Sequence, residues 1–304
     1  MKLSRFLRSL ALCLFLLVLP ACVRAKQDDA PTRVRDVIYG RKLGVVTTMD
    51  VFKPAKPNGI GVIFMVSGGW VSSHEGINPE LAKIFTSRGQ TVFMVVHGSQ
   101  PKFTLPEILQ DIHRSVRFIR THAAEYGVDP NRLAISGASA GGHLSLMMGA
   151  YGGPGDPKAA DPIDRASSQV QAIGCFFPPT DFLNYGKEGD SAMEISTLKA
   201  FWPVFTVSDA TPKADRDKLG RILSPIYGVT AKMPPTLIFH GDADTLVPIQ
   251  QSERLMAKLE ELKVPHKLEV RKGKGHGWPE IGQDFILIAD WFTKYLGQEG
   301  GGKG

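Results

Sequence analysis

Residues 137–141 read Gly-Ala-Ser-Ala-Gly and stand between a short apolar run, 133–136, and a helix-like segment that begins near Gly141. This feature constrains the fold most. A serine at the centre of so tight a strand-to-helix turn takes strained backbone angles, and flanking side chains larger than alanine would collide with the strand and the helix. The pattern predicts a nucleophilic Ser139 at the carboxyl end of a strand in an α/β protein. The alternative is a glycine-rich turn with no chemical role.

Segments typical of strands and of helices alternate on both sides of this turn. Strands are expected at 45–52, 60–66, 91–96, 133–136, 170–176, 236–240 and 267–271, and helices at 79–87, 106–126, 141–149, 249–262 and 283–296. Such alternation favours a mostly parallel central sheet with helices on both faces. One α/β domain is therefore predicted over residues 26–296. Residues 178–235, rich in Pro, Asp and aromatics, fit this pattern poorly and are interpreted as an excursion over the sheet's edge near the site.

The first 25 residues are typical of an export signal. Lys2, Arg5 and Arg8 precede an apolar run at 10–19 that is about half the length of a membrane span. The leader holds four of the 36 basic residues and none of the 30 acidic ones, so the rest of the chain has a net charge near +2. That balance gives no support for nucleic-acid binding, which needs clustered positive charge. Residues 297–304 are expected to form a disordered glycine-rich tail.

Two processing sites compete at the end of the leader. Residues 23–25 resemble a signal-peptidase site, whereas residues 19–22 resemble a lipobox with an unusual proline, in which case Cys22 would carry a lipid and tether the chain to a membrane. Simple export is favoured, so a secreted or periplasmic protein is expected. Cys13 lies in the leader and Cys175 in an apolar run typical of a buried strand, so no internal disulfide framework is available.

A serine nucleophile needs a base within hydrogen-bond reach and a carboxylate that orients the base. Both candidates follow Ser139 along the chain. The strand at 236–240 ends in a loop that carries Asp242 and Asp244; Asp244 is the predicted acid, while Asp242 is predicted to accept from loop amides. The next strand leads to His276, the predicted base, whose flanking glycines leave the imidazole free to approach the serine. Acidic turns and loop histidines are also common without a catalytic role.

The attacked carbonyl becomes an oxyanion, which requires preorganised N–H donors. Ala140, directly after the nucleophile, is predicted to supply one of them. The loop after the strand at 60–66 reads Ser-Gly-Gly-Trp, which lets the backbone approach a substrate closely. Gly69 and Trp70 are therefore predicted to supply the other donors. The alternative is an ordinary glycine turn.

Nine motifs, including Ser-Ala-Gly-Gly-His-Leu at 139–144 and Gly-His-Gly-Trp at 275–278, carry a family resemblance. The others lie at 49–54, 67–70, 111–120, 127–132, 224–225, 234–236 and 240–244. Over roughly residues 48–296 the chain resembles an α/β-hydrolase of the esterase/lipase superfamily, in particular the carboxylesterases related to hormone-sensitive lipase and the BD-FAE-like branch of xylan deacetylases and feruloyl esterases. The resemblance implies the α/β-hydrolase fold, and the family's catalytic serine, acid and histidine match Ser139, Asp244 and His276.

The chain departs from the family's pattern in two places. The oxyanion loop usually reads His-Gly-Gly-Gly-Trp, but this chain has Val66 in place of the histidine and Ser67 in place of the first glycine. The following strand usually ends in Asp-Tyr-Arg, whereas residues 96–98 here read Val-His-Gly. Backbone donors survive the first change. The departures therefore bear on loop support and the acyl pocket, and so on substrate class more than on reaction type.

These features together predict an exported serine hydrolase that cleaves short-acyl carboxylic esters through an acyl-enzyme, with no metal and no organic cofactor. Aromatic residues of the excursion are expected either to line a compact pocket or to form a small satellite core; they are Phe182, Tyr185, Phe201, Trp202 and Phe205. Trp202 and Trp278 are the predicted substrate-binding residues. Flat surfaces at Trp70 and Trp278 would suit a sugar or phenolic leaving group.

The expected partner is a small-molecule, carbohydrate or phenolic ester. One alternative is a serine peptidase of the prolyl-oligopeptidase type, which uses the same triad but commonly carries a large accessory domain that restricts access. The other is a non-catalytic binding protein on a hydrolase scaffold, against which an intact triad in an intact turn argues.

Overall fold

The strands assemble into a single eight-stranded sheet. The computed structural model describes residues 31–297. Its strands are β1 (Thr32–Lys42), β2 (Val45–Lys53), β3 (Gly59–Met65), β4 (Thr91–Val96), β5 (Val128–Ala138), β6 (Ala172–Phe176), β7 (Thr236–Gly241) and β8 (His266–Arg271). Their spatial order is β1-β2-β4-β3-β5-β6-β7-β8. β2 pairs antiparallel with β1 and β4, and the other neighbours are parallel, so the predicted mostly parallel sheet is confirmed.

Helices cover both faces of this sheet. They are α1 (Pro79–Thr86), α2 (Leu105–Thr121), α3 (Ala140–Tyr151), α4 (Lys213–Ile222), α5 (Gln250–Glu261) and α6 (Ile281–Leu296). Buried apolar residues of α2, α3 and α5 form one core cluster, and those of α1 and α6 form the other. Alternate residues of β3 contribute to each, because successive strand side chains point to opposite faces. Ile63 belongs to the first cluster and Val62 to the second, which is the layering of the α/β-hydrolase fold.

The first strand was missed by the sequence pattern. β1 carries Arg33, Arg35 and Asp36 among its apolar residues, and it lies at the edge of the sheet, where much of it is exposed. An exposed edge strand needs few buried side chains on either face, so its sequence alternates weakly. All seven predicted strands are present, with ends shifted by up to five residues.

The predicted helix at 106–126 is divided in two. α2 ends at Thr121, and a separate 3₁₀ turn, Ala123–Tyr126, follows it. Gly127 ends this turn in the left-handed region at φ +68°, a conformation that glycine adopts readily. The other four predicted helices are present within two residues at each end, and α4 was not predicted.

The excursion 178–235 connects β6 to β7, which are neighbours in the sheet, so it rises over the carboxyl ends of the strands rather than beside an outer strand. It contains the 3₁₀ helix Ser196–Phe205 and α4. Gln251 of α5 anchors its beginning, because the buried Oε1 of Gln251 accepts from the N–H groups of Thr180 and Asp181 at 2.9 and 2.8 Å. The excursion is thereby fixed beside the end of β5.

The predicted leader at 1–25 and all of the predicted tail except Gly297 lie outside the described residues. Within residues 31–297, no helix combines the length and the apolar character that a bilayer crossing demands.

Candidate active site

Ser139 occupies the tight turn between β5 and α3. Its backbone lies at φ +54° and ψ −118°, a conformation that costs a serine free energy. The surrounding glycines make the turn possible: a Cβ at Gly137 would lie 2.5 Å from the backbone carbon of Gly141, and one at Gly141 would lie 2.8 Å from the carbonyl oxygen of Met65. The N–H of Ser139 donates to Phe176 O at 2.9 Å, which ties the turn to β6.

The structure brings the three predicted triad residues together. Ser139 Oγ lies 2.8 Å from His276 Nε2, and His276 Nδ1 lies 2.7 Å from Asp244 Oδ2. A carboxylate only accepts, so Nδ1 carries the proton and Nε2 is left to accept from the serine hydroxyl. The arrangement can remove a proton from Ser139 and hold the resulting positive charge beside a carboxylate.

Asp244 lies in the loop after β7 and is buried. Its Oδ1 accepts from the N–H groups of Leu246 and Val247, both at 2.9 Å. Burial alone would raise the pKa of this carboxyl, but hydrogen bonds from His240, His276 and the backbone outweigh it and hold the pKa well below its usual range. Asp244 is therefore ionised wherever His276 can act as a base.

Asp242 does something different. It is exposed, and its Oδ1 accepts from the N–H of Gly273 at 2.6 Å. This contact ties the loop after β7 to the loop after β8, the backbone role that was predicted for Asp242.

His276 is held between glycines and an aromatic ring. Gly275 and Gly277 form an isolated bridge, and Gly277 takes φ +124°, which a residue with a side chain rarely adopts. The imidazole packs against Phe177, with ring centroids 4.4 Å apart. The side chain of His276 remains 22% exposed, so a substrate can approach it.

The predicted oxyanion donors lie on a two-residue turn after β3, which we call the oxyanion turn (residues 68–71). Gly68 and Val71 exchange backbone hydrogen bonds at 3.0 and 2.9 Å, and the two residues between them, Gly69 and Trp70, lie at φ +54° and +59°. This is a mirror-image type I turn. Neither Gly69 nor Trp70 uses its N–H in closing it, and both residues line the cleft beside Ser139 and Ala140. The three residues predicted to donate therefore lie together in one cleft beside Ser139.

Trp70 is buried, although a bulky residue at positive φ is strained. Its indole N–H donates to His143 Nδ1 at 3.3 Å, and its ring packs against Phe182, Phe201 and Phe205. His143, the fourth residue after Ser139, is fully buried, and its Nε2–H donates to Leu223 O at 2.7 Å. Burial lowers the pKa of His143 to about 4, so it is neutral near pH 7. One imidazole thus connects α3, the oxyanion turn and the excursion.

An apolar cleft opens beside Ser139. Four of the five aromatics expected there do line it: Phe182, Tyr185, Phe201 and Phe205. Tyr185 is fixed by its hydroxyl, which donates to Leu246 O at 2.9 Å. The excursion therefore supplies the wall opposite the oxyanion turn.

Trp202 and Trp278, the predicted substrate-binding residues, do not line this cleft. Trp202 is buried in the excursion, where its N–H donates to Ala192 O at 3.2 Å. Trp278 is buried behind His276 against Phe177, and its N–H donates to Asp284 Oδ2 at 2.7 Å. Both indoles satisfy their polar atom inside the protein, so the flat exposed surface expected at Trp278 is a wrong prediction.

One supporting residue was missed. His240, at the end of β7, is fully buried; its Nδ1 contacts Ser252 Oγ at 2.7 Å, and its Nε2 lies 2.8 Å from Val247 O and 3.5 Å from Asp244 Oδ2. It sits directly beneath the acid and helps to fix it. Its position four residues before Asp244 was the available signal.

Cys175 is a free, fully buried thiol on β6, and burial raises its pKa far above the usual range, as expected for an inert core residue. Across residues 31–297, no three His, Cys, Asp or Glu side chains lie close enough together to hold a metal ion.

Comparison with known proteins places this geometry among esterases. The family model BD-FAE matches residues 49–259. The probable carboxylic ester hydrolase LipM of Mycobacterium tuberculosis is 27% identical over 232 residues, which cover 75% of this chain and 52% of LipM. Esterase LipC of the same bacterium is 26% identical over 254 residues, which cover 80% of this chain and 59% of LipC. The chain thus spans little more than half the length of these curated relatives.

A solved structure extends the likeness over most of this chain. The truncated form of a carbohydrate esterase from gut microbiota superimposes with a TM-score of 0.75 at 25% identity, and the match covers 90% of this chain and 99% of that one. The eight-stranded sheet and its helices are therefore shared with a known esterase fold.

Proposed function

Because this chain belongs to the BD-FAE family, we propose that it is an exported serine esterase that hydrolyses short-acyl carboxylic esters through an acyl-enzyme. The observation that carries the proposal is the unbroken hydrogen-bond chain from Ser139 through His276 to Asp244 at the mouth of an apolar cleft. The names of the curated relatives, a probable carboxylic ester hydrolase and an esterase, support the same reaction class.

In the first half-reaction, Ser139 Oγ attacks the ester carbonyl carbon while His276 Nε2 takes the hydroxyl proton. The carbonyl oxygen becomes an oxyanion and accepts from the N–H groups of Gly69, Trp70 and Ala140. Collapse of this intermediate breaks the bond between the carbonyl carbon and the alcohol oxygen. The alcohol oxygen takes from His276 the proton that came from Ser139. The alcohol leaves, and the acyl group remains on Ser139.

In the second half-reaction, water attacks the acyl-enzyme and His276 takes its proton. The same donors hold the second oxyanion, and collapse returns the proton to Ser139 Oγ and releases the acid. Throughout, Asp244 keeps the proton on Nδ1 and stabilises the imidazolium. The low pKa of Asp244 suits this role, because a protonated carboxyl could neither keep the proton on His276 Nδ1 nor stabilise the imidazolium.

The cleft favours a small acyl group. The cavity beside Ser139 measures only about 60 Å³. Phe182, Phe201 and Phe205 line it together with Trp70, against whose ring they pack. An acetyl to butyryl chain fits this space, whereas each methylene left outside forfeits about 0.8 kcal/mol.

The proposal extends to the alcohol moiety, a sugar, and to the location, outside the cytoplasm. Similarity to the carbohydrate esterase from gut microbiota supports a sugar ester as the substrate. The partly exposed side chain of His276 leaves room for a sugar to approach. The sequence at 1–25 supports export, with Cys22 as the lipid site if the lipobox is used instead.

Hydrolysis of nitrophenyl acetate, butyrate, decanoate and palmitate, measured beside acetylated xylan, a feruloyl ester and an aminoacyl amide, tests the proposal. We expect kcat/KM to be highest for acetate or butyrate and to fall beyond about ten carbons. Phe201→Ala should open the cleft and shift the preference toward longer chains, and Ser139→Ala should abolish turnover.

Other outcomes point elsewhere. A palmitate kcat/KM equal to that of acetate would contradict the short-acyl proposal, and preferential cleavage of the amide would favour a peptidase. If a fluorophosphonate fails to label Ser139 in the folded protein, the chain is a binding protein on a hydrolase scaffold.

A further inference from the structure

We propose that Ser67 and His97 form a positioning pair that fixes the oxyanion turn for catalysis; the inference rests on the esterase function proposed above. Ser67 directly precedes the oxyanion turn, and His97 directly follows β4, the neighbour of β3 in the sheet. Both are positions at which the chain departs from the pattern that it resembles. In the structure the two departures touch each other.

The contact is a single, well-directed hydrogen bond. Ser67 Oγ lies 2.8 Å from His97 Nε2, and His97 Nδ1 lies 2.7 Å from Gly98 O. A carbonyl only accepts, so Nδ1 carries the proton and Nε2 must accept from the Ser67 hydroxyl. His97 is 4% exposed, and burial lowers its pKa to about 4, which keeps the imidazole in the neutral form that this bond requires.

The pair belongs to a larger set of contacts between the oxyanion turn and the segment 97–100. Gln100 N donates to Trp70 O at 3.2 Å, and Gln100 Nε2 donates to Gly69 O at 2.5 Å. Beyond the turn, Ser72 N donates to Ser99 Oγ at 2.8 Å. Ser67 lies on the side of the turn that comes from β3, and Ser72 lies on the other side. Segment 97–100 therefore forms hydrogen bonds on both sides of the turn.

These hydrogen bonds are needed because the backbone conformation of Trp70 is itself unfavourable. A tryptophan at φ +59° is sterically strained, so the turn that presents Gly69 and Trp70 to the cleft keeps its shape only while other contacts hold it. An oxyanion donor acts mainly when charge develops on the substrate oxygen, so a loosened turn costs transition-state stabilisation more than substrate binding.

The test is Ser67→Ala, which removes the donor and leaves the backbone donors in place. We expect kcat for nitrophenyl butyrate to fall about tenfold, less than the 10²–10³ that follows complete loss of one oxyanion donor, with KM changed by less than about twofold. The rate at which a fluorophosphonate labels Ser139 should fall by a similar factor, because its phosphoryl oxygen occupies the same donors.

The chain offers a matched control. His113 Nδ1 and Ser168 Oγ form another His–Ser hydrogen bond, at 2.9 Å, in which the serine is buried and the histidine half-buried, and neither residue lines the cleft. Ser168→Ala should lower the melting temperature about as much as Ser67→Ala while leaving kcat near that of the unaltered protein. His97→Gln keeps an acceptor for Ser67 and should retain more kcat than His97→Leu. The double variant Ser67→Ala/His97→Leu should be no worse than His97→Leu alone.

Two results would overturn the inference: an unchanged kcat and labelling rate in folded Ser67→Ala, or an equal fall in Ser168→Ala. If the His97 variants do not fold, the Ser67→Ala and Ser168→Ala pair decides alone. If the unaltered protein hydrolyses no ester, the proposed function fails, and the labelling rates of Ser139 in the two variants still judge the positioning pair.

Discussion

Two tight turns meet at Ser139, and they are held in different ways. The nucleophile turn at 137–141 is fixed by its own glycines, since a Cβ at Gly137 or Gly141 would collide with backbone within 3 Å. The oxyanion turn at 68–71 is fixed by residues far away in the chain, because Gln100 and His143 hold Trp70 at an unfavourable φ. A locally determined turn is visible in a sequence, whereas one held from a distance is not.

The largest expected effect is a loss of kcat on the nucleophile side. It should differ sharply between the two aspartates of the loop after β7. Asp244→Asn should lower kcat about 10⁴-fold, because an amide no longer holds the proton on His276 Nδ1 or balances the imidazolium. Asp242→Asn should cost less than about tenfold, since Asp242 only accepts from the N–H of Gly273. Steady-state rates on nitrophenyl butyrate measure both. A greater loss in Asp242→Asn would mean that the acid is assigned to the wrong residue.

The next effect concerns acid, to which two buried histidines on the oxyanion side are sensitive; burial also lowers the pKa of His113, which lies away from the cleft, to about 4. Burial lowers the pKa values of His97 and His143 to about 4, and both support the oxyanion turn. In the unfolded chain these groups titrate near 6.5, so between pH 6.5 and about 4 the unfolded state binds more protons than the folded one. The free energy of unfolding therefore falls as the pH drops through this window, by roughly 2–3 kcal/mol for each histidine, and is little affected above it.

Urea unfolding at pH 7 and pH 5 measures this loss. Ser67→Ala leaves both histidines buried and should keep most of the pH dependence, whereas His143→Gln should reduce it. A free energy of unfolding that is equal at the two pH values would show that these imidazoles are not buried and neutral.

A substitution in the nucleophile turn should cost about 2–3 kcal/mol of stability, because the added methyl of Gly137→Ala would meet the backbone carbon of Gly141 at 2.5 Å and backbone cannot yield as a side chain can. The same change at Gly282, near the start of α6, meets no atom within 4 Å and should change stability by less than about 1 kcal/mol. Thermal unfolding of the two variants compares them. Equal stabilities would mean that the turn relaxes and is not held by its glycines.

The same distinction explains what the sequence could predict. The strands and helices follow from alternating apolar segments bounded by Gly and Pro, and the positions of Ser139, Asp244 and His276 follow because parallel strands end at one edge of the sheet. β1 could not be found, since an exposed edge strand carries charges within its apolar pattern.

Contacts between distant residues could not be predicted in the same way. Trp202 and Trp278 are aromatic residues near the site, but only their contacts show that each N–H is satisfied inside the protein. The bond between Ser67 and His97 joins residues 30 apart, and that between Trp70 and His143 joins residues 73 apart. Local periodicity contains no information on such pairs.

The smallest expected effect is on the bond that joins the oxyanion turn to α3, the helix that follows the nucleophile turn. Trp70→Phe keeps the ring near Phe182 and Phe205 but removes the N–H that donates to His143 Nδ1. It should destabilise the protein by about 1 kcal/mol. Because the turn then loses one of its distant supports, kcat for nitrophenyl butyrate should also fall, by roughly three- to tenfold, with KM nearly unchanged.

Trp291→Phe is the matched control, since Trp291 N–H donates to Pro235 O at 3.4 Å beneath the sheet and far from the cleft. It should cost a similar amount of stability and no kcat. If Trp70→Phe lowers the melting temperature but leaves kcat intact, the oxyanion turn keeps its shape without the indole bond. Its geometry would then depend on the hydrogen bonds of segment 97–100 alone, and the two turns would differ only in how far along the chain their supports lie.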